Sequence, residues 1–153
     1  SNAVAELTIG MMFAAAKGLV SSNVHVREGG WNKPTGRELT GKTIGIIGFG
    51  NIGRQVARMA NGIGMKVLAY DVYEIADDVK ETYNAEQCSV EDILKAADFI
   101  SIHTPLTEET RGMIADEQFD MMKETAVIVN AARGGIIDEK ALYHVQWKQN
   151  PIL

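Results

Sequence analysis

The 153-residue chain has one cysteine, Cys88, so no disulfide can form within it. That excludes the disulfide-framed secreted scaffolds and makes a reducing cytoplasm the expected location. Cys88 stands between polar Gln87 and Ser89, in no catalytic motif. A surplus of basic charge is missing too: 15 Lys and Arg against 20 Asp and Glu leave a net charge of −5. Sequence-independent binding of nucleic acid needs clustered cations, so nucleic acid is not an expected partner. No long apolar run is present. The most apolar stretch, residues 4–20, is broken by Glu6, Thr8, Gly10, Lys17 and Gly18, which makes it too short and too polar for a bilayer span. No basic segment precedes it, so neither a secretory leader nor a membrane partner is expected. Internal repeats, low-complexity segments and a metal-ligand pattern are lacking as well.

What remains is an ordinary globular composition, 46% hydrophobic and 23% charged, in a length that suits one domain with a buried core. Ser1-Asn2-Ala3 looks like the remnant of a cleaved affinity tag and is set aside. Residues 4–26 show helical periodicity, with Leu7, Met11, Ala14, Ala15 and Leu19 on one side. An apolar face this wide predicts packing on more than one side, as a core helix or as a subunit interface. Residues 27–34 read as an extended connector whose Trp31 calls for a covering partner. From Lys42 strands and helices alternate. Strands are predicted at 43–47, 65–70, 99–103 and 126–130, and helices at 51–63 and 89–97, with a last helix opened by Asp138. Ser89 is the N-cap of the 89–97 helix, with Asp92 three residues on. The alternation predicts an α/β fold: a Rossmann-like, doubly wound parallel sheet in three layers, α/β/α.

Gly48-Phe49-Gly50-Asn51-Ile52-Gly53 is a complete G-x-G-x-x-G. On its own such a hexamer can be a simple turn. Here it follows a predicted strand, opens a helix, and precedes a strand ending in Asp71, 18 residues after Gly53. Gly48 permits the tight turn, Gly50 lets backbone approach a pyrophosphate, and Gly53 lets the helix pack on the strand. The helix N-terminus at Asn51 and Ile52 presents free N–H groups to anionic phosphates. Asp71, otherwise a turn residue at a strand end, can accept from the ribose hydroxyls of the adenosine half. A 2′-phosphate would face its carboxylate, and neighbouring Val72 and Tyr73 offer no compensating cation. NAD is therefore the expected cofactor, rather than NADP.

Three further segments carry a resemblance. They are Gly30-Trp31 with Glu38-Leu39-Thr40-Gly41-Lys42, then His103-Thr104-Pro105-Leu106-Thr107, and Asn130-Ala131-Ala132-Arg133-Gly134-Gly135. Together with the glycine loop they resemble the D-2-hydroxyacid dehydrogenase family, its phosphoglycerate dehydrogenase-like members in particular, from about residue 4 to about 143. The resemblance implies that Arg133 is catalytic, with a guanidinium that forks onto a substrate carboxylate and polarises the keto oxygen. It implies that Thr104 and Pro105 line the cofactor and that Ala131 meets the nicotinamide side through its backbone. His103 is not the proton-transfer residue of that family, and His25 and His144 fit none of its motifs.

The family completes its chemistry with a Glu–His pair placed after the Arg, and only 20 residues follow Arg133. Residues 4–143 then represent part of a dinucleotide-binding domain, 144–153 a divergent tail, and the substrate domain is not in this sequence. The expected function is the NAD-binding portion of an enzyme that reversibly transfers hydride between NAD and a small 2-hydroxy or 2-keto acid, inactive as this fragment. The alternative is a non-enzymatic, NAD-sensing protein of the corepressor type. The resemblance also implies a homodimer through the N-terminal helix and the Trp31 loop, favoured further if the sheet is left with an open edge.

Overall fold

Five short runs, four of them mostly apolar, build one parallel sheet: β1 (Thr43–Ile47), β2 (Lys66–Tyr70), β3 (Ala85–Gln87), β4 (Phe99–Ile102) and β5 (Val127–Asn130). Their order across the sheet is β3-β2-β1-β4-β5 in the computed structural model, which describes residues 2–149. β1 lies in the middle, so Ile44, Ile46 and Ile47 are wholly buried. That is why its sequence shows no polar alternation. The chain winds outward through β2 and β3, then crosses back over β1 to β4 and β5. Sheets of this kind take their ligands at such a reversal, beyond the carboxyl ends of the strands, here β1 and β4.

Among the described residues seven helices accompany the sheet: α1 (Asn2–Lys17), α2 (Leu19–Arg27), α3 (Asn51–Ile63), α4 (Asp77–Thr82), α5 (Val90–Ala96), α6 (Asp116–Met121) and α7 (Glu139–Gln149). Each face of the sheet has its own apolar layer. On one face Met12 of α1 and Val56 and Ala60 of α3 pack with Ile44, Ile46, Val67 and Phe99. On the other Ile93 and Leu94 of α5, Phe119 of α6 and Ala141 of α7 pack with Ile47, Ile100 and Ile102. The predicted three-layer, doubly wound α/β fold is the one formed. α5 opens with the predicted capping box: the Ser89 hydroxyl accepts from the Asp92 N–H at 3.0 Å and the Asp92 carboxylate from the Ser89 N–H at 3.4 Å. Between β1 and β4, the Asp98 carboxylate accepts from the Thr43 N–H at 3.0 Å and pairs with Lys123 at 3.1 Å. Burial alone would raise its pKa, but those two partners outweigh it and hold the carboxyl below its ordinary value.

The N-terminal region differs from the single helix that periodicity predicts. Gly18 adopts a left-handed conformation, φ +62°, and the chain bends by 62° between α1 and α2. The inward face differs as well. Ala5, Thr8, Met12 and Ala16 are buried, whereas Leu7, Met11 and Leu19 are 54%, 40% and 53% exposed. Small side chains let α1 approach α3 and β5 closely, and the Thr8 hydroxyl goes inside because it donates to the Val4 carbonyl at 2.9 Å. Among the described residues no single helix is long and apolar enough to cross a membrane; α1 and α2 together would qualify only across their bend. Asn2 and Ala3, set aside above, form the start of α1, while Ser1 lies outside the described residues. The 144–153 segment continues α7 as far as Gln149, and 150–153 lie outside the described residues.

Candidate functional site

β1 runs directly into the glycine loop, and the three glycines meet different demands. Gly48 has φ +99°, and its N–H donates to the Tyr70 carbonyl at 2.8 Å. A Cβ there would stand 2.6 Å from the His103 carbonyl oxygen, because the exit of β4 presses on the loop. A Cβ on Gly53 would stand 2.2 Å from the Gly48 oxygen, so this glycine seats α3 against the end of β1. Gly50 is the opposite case. It is the N-cap of α3 with φ −79°, a Cβ would meet nothing within 4 Å, and no side chain caps the helix. The first turn of a 13-residue helix, at Asn51 and Ile52, therefore faces open space with its N–H dipoles. Arg54, which the sequence reading did not single out, steadies the loop by donating from Nε to the Phe49 carbonyl at 3.1 Å. Its position one residue past the motif was the available signal.

Asp71 follows β2 and reaches back to the same loop. One carboxylate oxygen accepts from the Phe49 N–H at 2.8 Å, the other from the Tyr73 N–H at 3.2 Å. On the far side of β1, His103 and Thr104 leave β4. Two buried polar atoms there have no partner among the described residues, His103 Nδ1 and Thr104 Oγ1. His103 Nε2 is paired with the hydroxyl of fully buried Ser101, two residues back on the same face. Pro105 is exposed, its carbonyl tied by the Thr110 hydroxyl at 2.7 Å. Beyond β5, Asn130 clasps the next turn. Its side-chain Oδ1 accepts from the Ala132 N–H at 3.1 Å, and its Nδ2 donates to the Arg133 carbonyl at 2.8 Å. Ala131 is half-buried in that turn. The Arg133 side chain is exposed and donates to the Ala132 carbonyl at 2.8 Å. Since β2, β1, β4 and β5 are neighbours and parallel, the glycine loop, Asp71, Thr104 and Arg133 all emerge at one edge of the sheet.

Desolvation lowers the His103 pKa from 6.5 to about 4. The folded chain holds this imidazole neutral, so below pH 6.5 the unfolded chain takes up a proton that the folded one refuses. Stability is accordingly full above pH 6.5 and falls as pH drops toward 4, by on the order of 2 kcal/mol. Urea unfolding across that window should show the loss in the wild type and a flatter profile in His103→Gln. Identical slopes would refute the assignment.

An open cradle at an uncapped helix start, a carboxylate beside it and orphaned polar atoms on the far side of β1 fit a dinucleotide with an anionic centre and a free ribose. The comparisons with known proteins agree. The family model for "D-isomer specific 2-hydroxyacid dehydrogenase, NAD binding domain" matches residues 9–150. D-3-phosphoglycerate dehydrogenase of Methanocaldococcus jannaschii is 47% identical over 146 residues, which cover 94% of this chain and 28% of the relative. Hydroxypyruvate reductase of Thermotoga maritima is 47% identical over 142 residues, 92% of this chain and 45% of the relative. D-lactate dehydrogenase of Aquifex aeolicus, solved with NAD and lactic acid, superposes with a TM-score of 0.92 at 36% identity, covering 99% of this chain and 46% of that one. The chain thus spans less than half the length of each of these relatives.

Proposed function

The chain belongs to the D-isomer specific 2-hydroxyacid dehydrogenase family, within its NAD binding domain, and from that premise we propose that it is the cofactor half of an enzyme moving hydride between NAD and a small 2-hydroxy or 2-keto acid. In this reading Gly48, Gly50, Asn51, Ile52 and Gly53 cradle the pyrophosphate and Asp71 receives the adenosine ribose. Thr104, Pro105 and Ala131 line the cofactor. The observation that supports it best is the free space at Gly50 beside the uncapped start of α3. Bound NAD supplies the hydride acceptor, and its reduced form the donor. Arg133 holds the substrate carboxylate and polarises the C2 oxygen, a role suited to an exposed guanidinium on a turn braced by Asn130. In this reading the hydroxyl proton moves through the Glu–His pair that the family resemblance implies, outside these 153 residues.

The 153-residue chain should therefore bind NAD yet leave NADH unoxidised in the presence of hydroxypyruvate or glyoxylate. A longer form including the remaining length of the relatives should turn over, and Arg133→Ala in it should lower kcat/KM by about 10²- to 10³-fold. Substantial turnover by the 153 residues alone would refute the division of labour, and an unimpaired Arg133→Ala enzyme would refute the role of Arg133.

The reading extends to a cytoplasmic homodimer. Leu7, Met11, Leu19, Val20, Val24 and Val26 are exposed along α1 and α2, and Trp31 beyond them is 88% exposed. An apolar surface of this kind marks an interface. Light scattering should give twice the chain mass, reduced to one chain in Val24→Glu; a wild-type monomer at high concentration contradicts the dimer.

A further inference from the structure

The segment between β2 and α4 has no regular structure, yet one side chain on the neighbouring edge strand fastens it. Gln87, the last residue of β3, uses both ends of its carboxamide. Its Oε1 accepts from the Ile75 N–H at 2.8 Å, and its Nε2 donates to the Tyr73 carbonyl at 3.0 Å. Two bonds from one planar group to residues two apart leave this loop little freedom to pivot. Ile75 is buried beneath the clamp, whereas Val72 and Tyr73 point outward. The connection then continues toward the site. The Tyr73 N–H donates to one oxygen of Asp71 at 3.2 Å, and the other Asp71 oxygen accepts from the Phe49 N–H of the glycine loop at 2.8 Å. A hydrogen-bonded path thus runs from Gln87 through residues 73–75 to Asp71 and on to Phe49. β3 itself gives no reason for a glutamine at this place. Position 87 pairs through backbone with Ala69, and its side chain is half-buried at the sheet edge.

We propose that Gln87 is a positioning residue for cofactor choice, holding the 73–75 loop so that the Asp71 carboxylate stays fixed at the adenosine end of the site. The proposal rests on the reading of Asp71 as the ribose acceptor. Gln87 touches no cofactor atom in this scheme; it acts through Asp71. Without the clamp Asp71 keeps its charge but loses its fixed orientation. Binding of the adenosine half weakens, and the rejection of a 2′-phosphate relaxes with it.

ADP-ribose serves as the probe, since it carries the adenosine, both phosphates and no nicotinamide. Two substitutions remove the clamp differently: Gln87→Met keeps length without polar ends, and Gln87→Asn keeps the carboxamide but falls one methylene short. Both should raise the Kd for ADP-ribose about 5- to 10-fold, the size of one lost neutral hydrogen bond. The preference for NAD over NADP should shrink by a similar factor. In an Asp71→Ala background the same substitutions should change nothing further, because the side chain through which Gln87 acts is gone. A purely structural role would lower the unfolding midpoint and weaken binding equally in both backgrounds, and that result overturns the proposal. Unchanged ADP-ribose affinity in both Gln87 variants overturns it too, leaving the reading of Asp71 intact. Failure of the wild type to bind ADP-ribose would instead remove the site reading, and this proposal with it.

Discussion

Gly53→Ala is expected to unseat α3 from β1 and lose NAD binding together, whereas Gly50→Ala, three residues earlier, keeps the fold and loses only the cofactor. A methyl group on Gly53 would lie 2.2 Å from the Gly48 oxygen, a backbone atom that cannot rotate away. The helix start and the loop must separate, which costs about 3 kcal/mol, the upper part of the usual range for an overfilled site. A methyl group on Gly50 meets nothing in the chain, and φ −79° suits alanine. Alanine caps a helix slightly less well than glycine but restricts the unfolded chain, so the stability change should stay within about 1 kcal/mol. The methyl does, however, occupy the space proposed for the pyrophosphate, and NAD affinity should fall roughly 10- to 100-fold. Urea unfolding and calorimetric titration on the same two variants separate the effects. A Gly53→Ala chain as stable as wild type, or a Gly50→Ala chain that binds NAD normally, would contradict these assignments.

Asp71→Asn should collapse the preference for NAD over NADP. In the wild type a ribose 2′-phosphate would share the space beside a carboxylate already fixed by two backbone N–H groups, at 2.8 and 3.2 Å. Like charges a few ångströms apart near a protein surface repel by several kcal/mol, and salt weakens this only in part. Asparagine is nearly the same shape and can still accept from Phe49, so the loop should persist. NAD should weaken about tenfold as charge-assisted hydrogen bonds to the ribose become neutral ones. NADP should strengthen, so that the ratio of the two dissociation constants falls on the order of 100-fold. A ratio unchanged from wild type would show that Asp71 serves the loop and not the ribose.

What could be read beforehand, and what could not, follows from the range of the forces involved. β1 and α3 were legible to the residue because their signals are local. A strand buried on both faces is apolar throughout, and glycines bound α3 at Gly50 and at left-handed Gly64. The capping box at Ser89 and Asp92 is legible for the same reason. β3 is not: Ala85-Glu86-Gln87 has no strand pattern and is held by the hydrogen bonds that β2 offers its neighbour. The short, polar α4 and α6 share that fate. The predicted face of α1, with Leu7, Met11, Ala14, Ala15 and Leu19, is not the buried one, because close approach to α3 and β5 selects Ala5, Met12, Ala16 and a self-satisfied Thr8. The motifs named Gly48, Gly50, Gly53, Asp71 and Arg133, and the parallel strand order brings all five to one edge of the sheet. The pairing of Ser101 with His103, the bond from Phe49 to Asp71 and the Gln87 clamp arise only when the strands are laid side by side.

In the proposed site NAD lies across the carboxyl edge of the sheet, with its phosphates at the start of α3. Backbone amide resonances followed during titration of NAD into the chain test this directly. Saturable shifts are expected, concentrated at Gly50, Asn51, Ile52, Asp71, Thr104 and Ala131. Shifts confined to other surfaces, or none at saturating NAD, would contradict it.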